Sequence, residues 1–185
     1  MLYSKEKLKK EINNCNKCCK GKRKACFYGN INSKVLFLAQ NAGAYKKSIN
    51  PDMVPFNLHD FSSNASDKAT GDILKTMFTF IKYPIKEIAI TNLVKCFIDM
   101  TYDNIYSCSI WLEREIKLMK NLKLIICLGK YAGDYFDIKD YLKLFKVNNF
   151  KVIMIWHPGY ILRNRNKLEE YKKQFNVIGG LFANL

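Results

Sequence analysis

His157 and Pro158 follow directly on the apolar run FKVIMIW at 150–156, where proline ends a strand and helps fix the ring that precedes it. A neutral imidazole held in this way can donate a hydrogen bond to negative charge growing on a leaving group. Asn92 closes a second apolar run, EIAIT at 87–91, and its carboxamide offers a donor and an acceptor side by side, matching the edge of a pyrimidine. Phe56, after Pro55, has an aromatic face that could stack on a base drawn out of the duplex. Each of these residues also has a plain structural reading, as a histidine satisfied by backbone, a turn residue at a strand end and a core phenylalanine. Cys15 and Cys18 open a loop, CNKCCKGKRKAC at 15–26, that has neither helical nor strand period. Thiolates so spaced can hold a metal, and half of a zinc site is one option the spacing leaves open.

Positioning these side chains requires a framework, and the hydropathy pattern supplies one. VLFLA at 35–39, EIAIT at 87–91, LKLIICLG at 122–129 and FKVIMIW at 150–156 are short continuous apolar runs, the pattern of strands buried on both faces. Between them, Ile73, Leu74, Met77, Phe78 and Ile81 form one helical apolar face, and Ile105, Cys108, Leu112, Ile116 and Met119 another. A short amphipathic helix is expected over 4–12, and a last helix from Asn166, capped by that residue with Glu169 reaching back. Strands alternating with helices predict a mostly parallel sheet covered on both faces, with the ligand crevice beyond the carboxyl ends of the strands. The turns after the runs at 35–39, 87–91 and 150–156, with Asn41, Asn92 and His157, belong at that end. The longest loop is 57–70, and one domain is expected over 1–185, with residues 1–33 forming a helix and a Cys-rich loop.

Lys and Arg total 31 against 16 Asp and Glu, a formal net charge of +15 that concentrates polyanions around the molecule. DNA is the leading partner, although a Lys-rich composition can also reflect an AT-rich genome. MLYSKEKLKK at the amino terminus contains no continuous apolar stretch, so export is not expected and a cytoplasmic location is. No apolar run approaches the ~20 residues that cross a bilayer. Seven cysteines, an odd number in a chain not expected to be exported, argue against a disulfide framework and leave metal ligation as the competing explanation. No obligate protein partner is evident, and a monomer is expected.

Taken in order, the motifs resemble those of the uracil-DNA glycosylase superfamily, most closely its iron-sulfur branch, family four. In that branch a basic CxxC loop precedes the first strand, as Cys15 and Cys18 do here. Its Gly-Glu-Ala-Pro-Gly turn corresponds to Ala39, Gln40, Asn41, Ala42 and Gly43. Its Pro-Phe is similar to Pro55 and Phe56, its Thr-Asn-hydrophobic-hydrophobic-Lys-Cys to residues 91–96, and its Leu-Gly to Leu128 and Gly129. Its His-Pro-Ser with a following arginine is similar to His157, Pro158, Gly159 and Arg163. The resemblance implies a three-layer α/β/α fold with a central, mainly parallel four-stranded sheet in the order 2-1-3-4. It implies hydrolysis of the N-glycosidic bond of a flipped-out aberrant pyrimidine in DNA, uracil by default, as in base-excision repair. It also implies a four-iron, four-sulfur cluster on Cys15, Cys18, Cys96 and Cys108, with zinc as the alternative. By the same resemblance His157 faces the base carbonyl, Asn92 reads the base edge, Phe56 stacks, and the turn after the first strand orients water. Lys22, Arg23 and Lys24 of the loop, with Arg163 and Arg165, are the expected phosphate contacts.

The chain departs from the pattern in that first turn. Gln40 stands where the branch has Glu, and an amide cannot act as a base. Other branches place a water-binding Asn or Asp where Asn41 falls, so Asn41 is expected to position water with Gln40 in support. Lys46 and Lys47 replace an acidic pair, and Gly43 is small where some relatives set a tyrosine against C5 of the pyrimidine. A longer loop carrying His59, Asp60 and Asp67 follows Phe56. These changes raise two alternatives: a glycosylase for a bulky C5-modified cytosine of phage DNA, acting in defence, and a non-catalytic DNA-binding relative.

Overall fold

A computed structural model describes residues 4–18, 24–42, 68–96, 98 and 100–185. The four apolar runs form β2 (Val35–Asn41), β3 (Ala89–Val94), β4 (Leu124–Leu128) and β6 (Phe150–Ile155), which pair parallel with one another. Their spatial order, β3-β2-β4-β6, is the expected 2-1-3-4. The sheet has six strands where four were expected, because β1 (Tyr28–Gly29) and β5 (Leu144–Val147) add antiparallel edges beside β3 and β6. Both added strands are short and only partly buried, so neither leaves an apolar run in the sequence.

Alternation along the strands divides the core into two. Leu36, Leu38, Ile125, Cys127, Val152 and Met154 face α1 (Lys5–Asn13), α3 (Tyr102–Leu118) and α4 (Lys130–Tyr135). Val35, Phe37, Ala39, Ile126, Leu128 and Ile155 face α2 (Lys68–Phe80), α5 (Pro158–Arg163) and α6 (Leu168–Phe182). On the second face Phe37 meets the edge of Phe78 at 4.9 Å, and Phe78 that of Phe175 at 6.1 Å, joining sheet, α2 and α6.

Ser4 caps α1 by accepting from Lys7 N, as its sequence position suggests. The expected capping box at Asn166 does not form. Residues 165–167 make a 3-10 turn, and α6 begins at Leu168 with no side-chain cap. α2 begins at Lys68, so the end of the expected 57–70 loop is helical; its residues 57–67 lie outside the described residues, as do Lys22, Arg23, Gly43 and Phe56. Among the described residues no helix is long and apolar enough to cross a membrane.

Candidate active site

β2, β3 and β6 end at one rim of the sheet, and the register fixes their relative heights. Ala39 pairs with Asn92, while Leu38 pairs with Cys127 and Cys127 with Met154. Asn92 is therefore level with Ile155, and His157 stands two residues further along β6. Alternation at the end of β2 sets Gln40 and Asn41 on opposite sides of the sheet.

His157 is the N-cap of α5, with Pro158 at the first helical position, where its missing N–H is no loss. Nδ1 accepts from the Gly159 amide at 3.0 Å, which places the ring proton of the neutral form on Nε2. Burial, assisted by the Arg163 guanidinium, lowers its pKa to about 4, so the imidazole is neutral at physiological pH. Two glycines leave room for this ring. Gly129 has φ +89°, and a Cβ there would lie 3.0 Å from His157 Cβ; one at Gly159 would lie 3.0 Å from Nδ1 and 3.7 Å from an Arg163 nitrogen. Arg163 and Arg165 are both exposed.

Asn92 is 2% exposed, and its Nδ2 has no hydrogen-bond partner among the described residues. An unsatisfied buried amide donor costs about 1–3 kcal/mol, so a group kept in this state is a candidate for binding something. Asn41 is only partly buried, and its Nδ2 donates to the Ile98 carbonyl at 2.8 Å.

The cysteines gather on the α3 side. Cys108 is buried on the apolar face of α3, and its sulfur accepts from Lys95 N at 3.3 Å, next to Cys96. Burial raises the Cys108 thiol, with Cys18 and Cys15 contributing; burial and then Cys15 raise Cys18. Among the described residues no three His, Cys, Asp or Glu stand close enough to share a metal, and Cys96 is in a disulfide whose partner lies outside them. The same corner corrects one expected phosphate contact: Lys24 is 6% exposed and its Nζ donates to the Asn13 carbonyl at 3.1 Å, so it ties the loop to the end of α1. A groove of about 510 Å³ opens beside Cys15, lined by Lys7, Lys10, Lys17, Asn14 and Trp111 among others.

Sequence reasoning missed a buried ion pair next to Asn92. Lys95 Nζ lies 2.6 Å from Glu115 Oε2, 2.7 Å from Thr91 Oγ and 2.6 Å from the Asn92 carbonyl, with Lys95 and Glu115 each 1% exposed. Thr91 Oγ donates in turn to Glu115 at 2.7 Å. No periodic spacing links residues 95 and 115, and the signal available was only a lysine closing an otherwise buried strand.

A Type-4 uracil-DNA glycosylase from Archaeoglobus fulgidus is 26% identical over 201 aligned positions, covering 97% of this chain and 94% of that protein. The crystal structure of wild-type Pedobacter heparinus SMUG2 shares the fold, with a TM-score of 0.60 at 16% identity over 83% of this chain and 77% of that one. The family model of the uracil DNA glycosylase superfamily matches residues 26–178, a span that holds the rim residues and both core layers, and the chain belongs to that superfamily.

Proposed function

We propose that the protein draws an aberrant pyrimidine, uracil by default, out of DNA and hydrolyses its N-glycosidic bond, leaving an abasic site. Membership of the superfamily makes it a DNA glycosylase, a hydrolase acting on N-glycosyl bonds, with DNA as its partner. The observation that carries the reading is the Asn92 amide, buried at the rim without a partner for its N–H₂. A carbonyl on the base edge would satisfy that donor, and the Asn92 carbonyl oxygen of the side chain can accept from a ring N–H. Three strand spacings of about 4.8 Å separate β3 from β6, so side chains reaching inward from both leave room for one six-membered ring.

As the bond to the sugar breaks, negative charge develops on the base. The neutral imidazole of His157 donates through Nε2 to that charge, and its low pKa keeps it from arriving as a cation that would bind other anions without discrimination. Asn41, anchored through Nδ2 on Ile98, presents Oδ1 to a water that it orients toward the sugar carbon. Phe56 is assigned the stacking role and Gly43 the space at C5 on the motif resemblance alone. Exposed Arg163 and Arg165, with Lys22 and Arg23 of the loop, are assigned to phosphates.

Cys15, Cys18, Cys96 and Cys108 are assigned to an iron-sulfur cluster on the motif resemblance and because thiolates suit iron; as arranged in the structure they do not form a metal-binding group, and Cys96 is disulfide-bonded. Ligation requires Cys96 in its reduced form. When bound, the cluster would fasten the basic loop to β3 and α3. Iron and acid-labile sulfide in the purified protein, with visible absorbance, would support it; stoichiometric zinc without colour would assign zinc instead.

The deciding experiment incubates the protein with oligonucleotides carrying uracil, hypoxanthine or glucosylated hydroxymethylcytosine and measures free base by mass spectrometry. Release of uracil, abolished in His157→Ala and Asn92→Ala, supports the reading. Retention of the altered DNA with no base released refutes it.

A further inference from the structure

Lys95 and Glu115 form an ion pair that water does not reach, and one carboxylate oxygen, Glu115 Oε1, has no hydrogen-bond partner among the described residues. Removing two charges from water is expensive, and a well-packed apolar pair of similar volume is often at least as stable, so stability does not account for this arrangement. What the pair touches does. Alternation sends the Thr91 side chain toward α3 and the Asn92 side chain toward α6. The lysine therefore lies behind the sheet from the Asn92 amide, and reaches that residue through its main-chain carbonyl at 2.6 Å. Its own main-chain N–H meets Cys108 on α3, and its ammonium group is held by Glu115 of the same helix. Lys95 thus ties the end of β3 to α3 at two points, carboxylate and sulfur, while its ammonium group also binds the Asn92 carbonyl of β3 itself.

We propose that Lys95 is a positioning residue for base recognition, with Glu115 as its counter-ion, clamping the Asn92 backbone from behind so that the unpartnered amide keeps one orientation. The proposal rests on the reading of Asn92 as the base-edge contact. It explains why a charge is buried there: an ammonium group can bind the Thr91 hydroxyl, the Asn92 carbonyl and a carboxylate at once, and no apolar side chain can bind any of them.

The test compares the protein as purified with Lys95→Met/Glu115→Leu, which removes both charges together and so avoids stranding either one. Two quantities are read: the side-chain amide resonances of Asn92, identified by their loss in Asn92→Ala, and single-turnover release of uracil from a single-stranded oligonucleotide. The expected result is a cooperative melt and unchanged metal content, with the Asn92 resonances broadened or split and release slowed roughly 100-fold, as a misplacement near 1 Å would produce. Unchanged resonances and release in the folded double variant would overturn the proposal. Should that variant not fold, Lys95→Arg keeps the charge but moves the donor; altered resonances support the clamp and unaltered ones reject it. If the unmodified protein releases no uracil, the substrate assignment fails while the resonances still decide the clamp. If Asn92→Ala retains full activity, the reading of Asn92 fails instead.

Discussion

Titrating His157 gives the sharpest check on the site. The folded protein holds this imidazole at about 4, against 6.5 for a free side chain, because burial and the Arg163 guanidinium oppose its charge. Above pH 6.5 the ring is neutral in both folded and unfolded chains, and it affects stability equally at every pH. Between 6.5 and about 4 the unfolded chain takes up a proton that the folded one refuses, so stability falls as the pH drops through that window and the loss levels off below it. A shift of 2.5 units at 1.36 kcal/mol each gives about 3 kcal/mol, and partial solvent access to the ring trims this toward about 2 kcal/mol. For a chain of this size that is roughly 5–10 °C in melting temperature. Calorimetric melts of the unmodified protein and of His157→Gln from pH 7.5 to 4 isolate the term, because carboxylates contribute alike to both. The unmodified protein should lose roughly 5–10 °C more than the variant over the window. Parallel curves, or an imidazole that titrates by NMR near its free value, would refute the buried neutral histidine and with it the role of Nε2 as donor.

Replacing Asn92 by Leu removes a buried donor that has no partner, so the variant should melt at or above the unmodified protein, by up to about 1–3 kcal/mol, while base release disappears; a destabilised variant would mean that the amide has a structural role. Gly129→Ala forces a side chain into φ +89° and within 3.0 Å of His157 Cβ, and should lower stability by about 1–3 kcal/mol and slow base release, measured by melting and single-turnover kinetics. Arg163→Ala/Arg165→Ala should reduce the slope of log affinity against log salt by up to about 1.4–1.8 on DNA, depending on strandedness, with little change in preference between bases. Asn41→Ala should slow single-turnover hydrolysis less than His157→Ala, for which about 10²- to 10³-fold is expected.

The layered core was legible because central parallel strands are apolar on both faces, and runs such as LIICL at 124–128 can be little else. Edge strands lack that signature. β5 alternates exposed and half-buried residues, and its one local cue was the pair Asn148 and Asn149 between Val147 and Phe150, a two-residue hairpin turn in which Asn148 takes φ +51°. His157 could be singled out because it closes an apolar run with a polar side chain, and Asn92 because it interrupts one; β3 continues through buried Leu93 and Val94, so Asn92 is not the strand end the sequence suggested. Lys24 was misjudged because a lysine in a basic loop looks like its neighbours, and only the bridge to Cys96 turns it inward. The clamp at Lys95 depends on a helix partner 20 residues away, a relation that hydropathy cannot express.

The same geometry bears on how the bond is cut. A glycosylase with a carboxylate in its first turn can draw on it to stabilise the positive sugar or to activate water. Here that turn offers Gln40, facing the opposite side of the sheet, and Asn41, whose amide is tied to Ile98. An amide oxygen orients water but does not deprotonate it, so attack by water gains geometry and little nucleophilicity. On the proposed assignment the burden then shifts to the leaving group, to the Nε2 proton of His157 and to the Asn92 amide, whose main-chain carbonyl Lys95 binds from behind. Such a division favours a path in which departure of the base runs well ahead of attack by water, and it is why the histidine should matter more than the asparagine that holds the water. If Asn41→Ala proved the more damaging of the two, water activation would be limiting and this assignment of roles would have to be reversed.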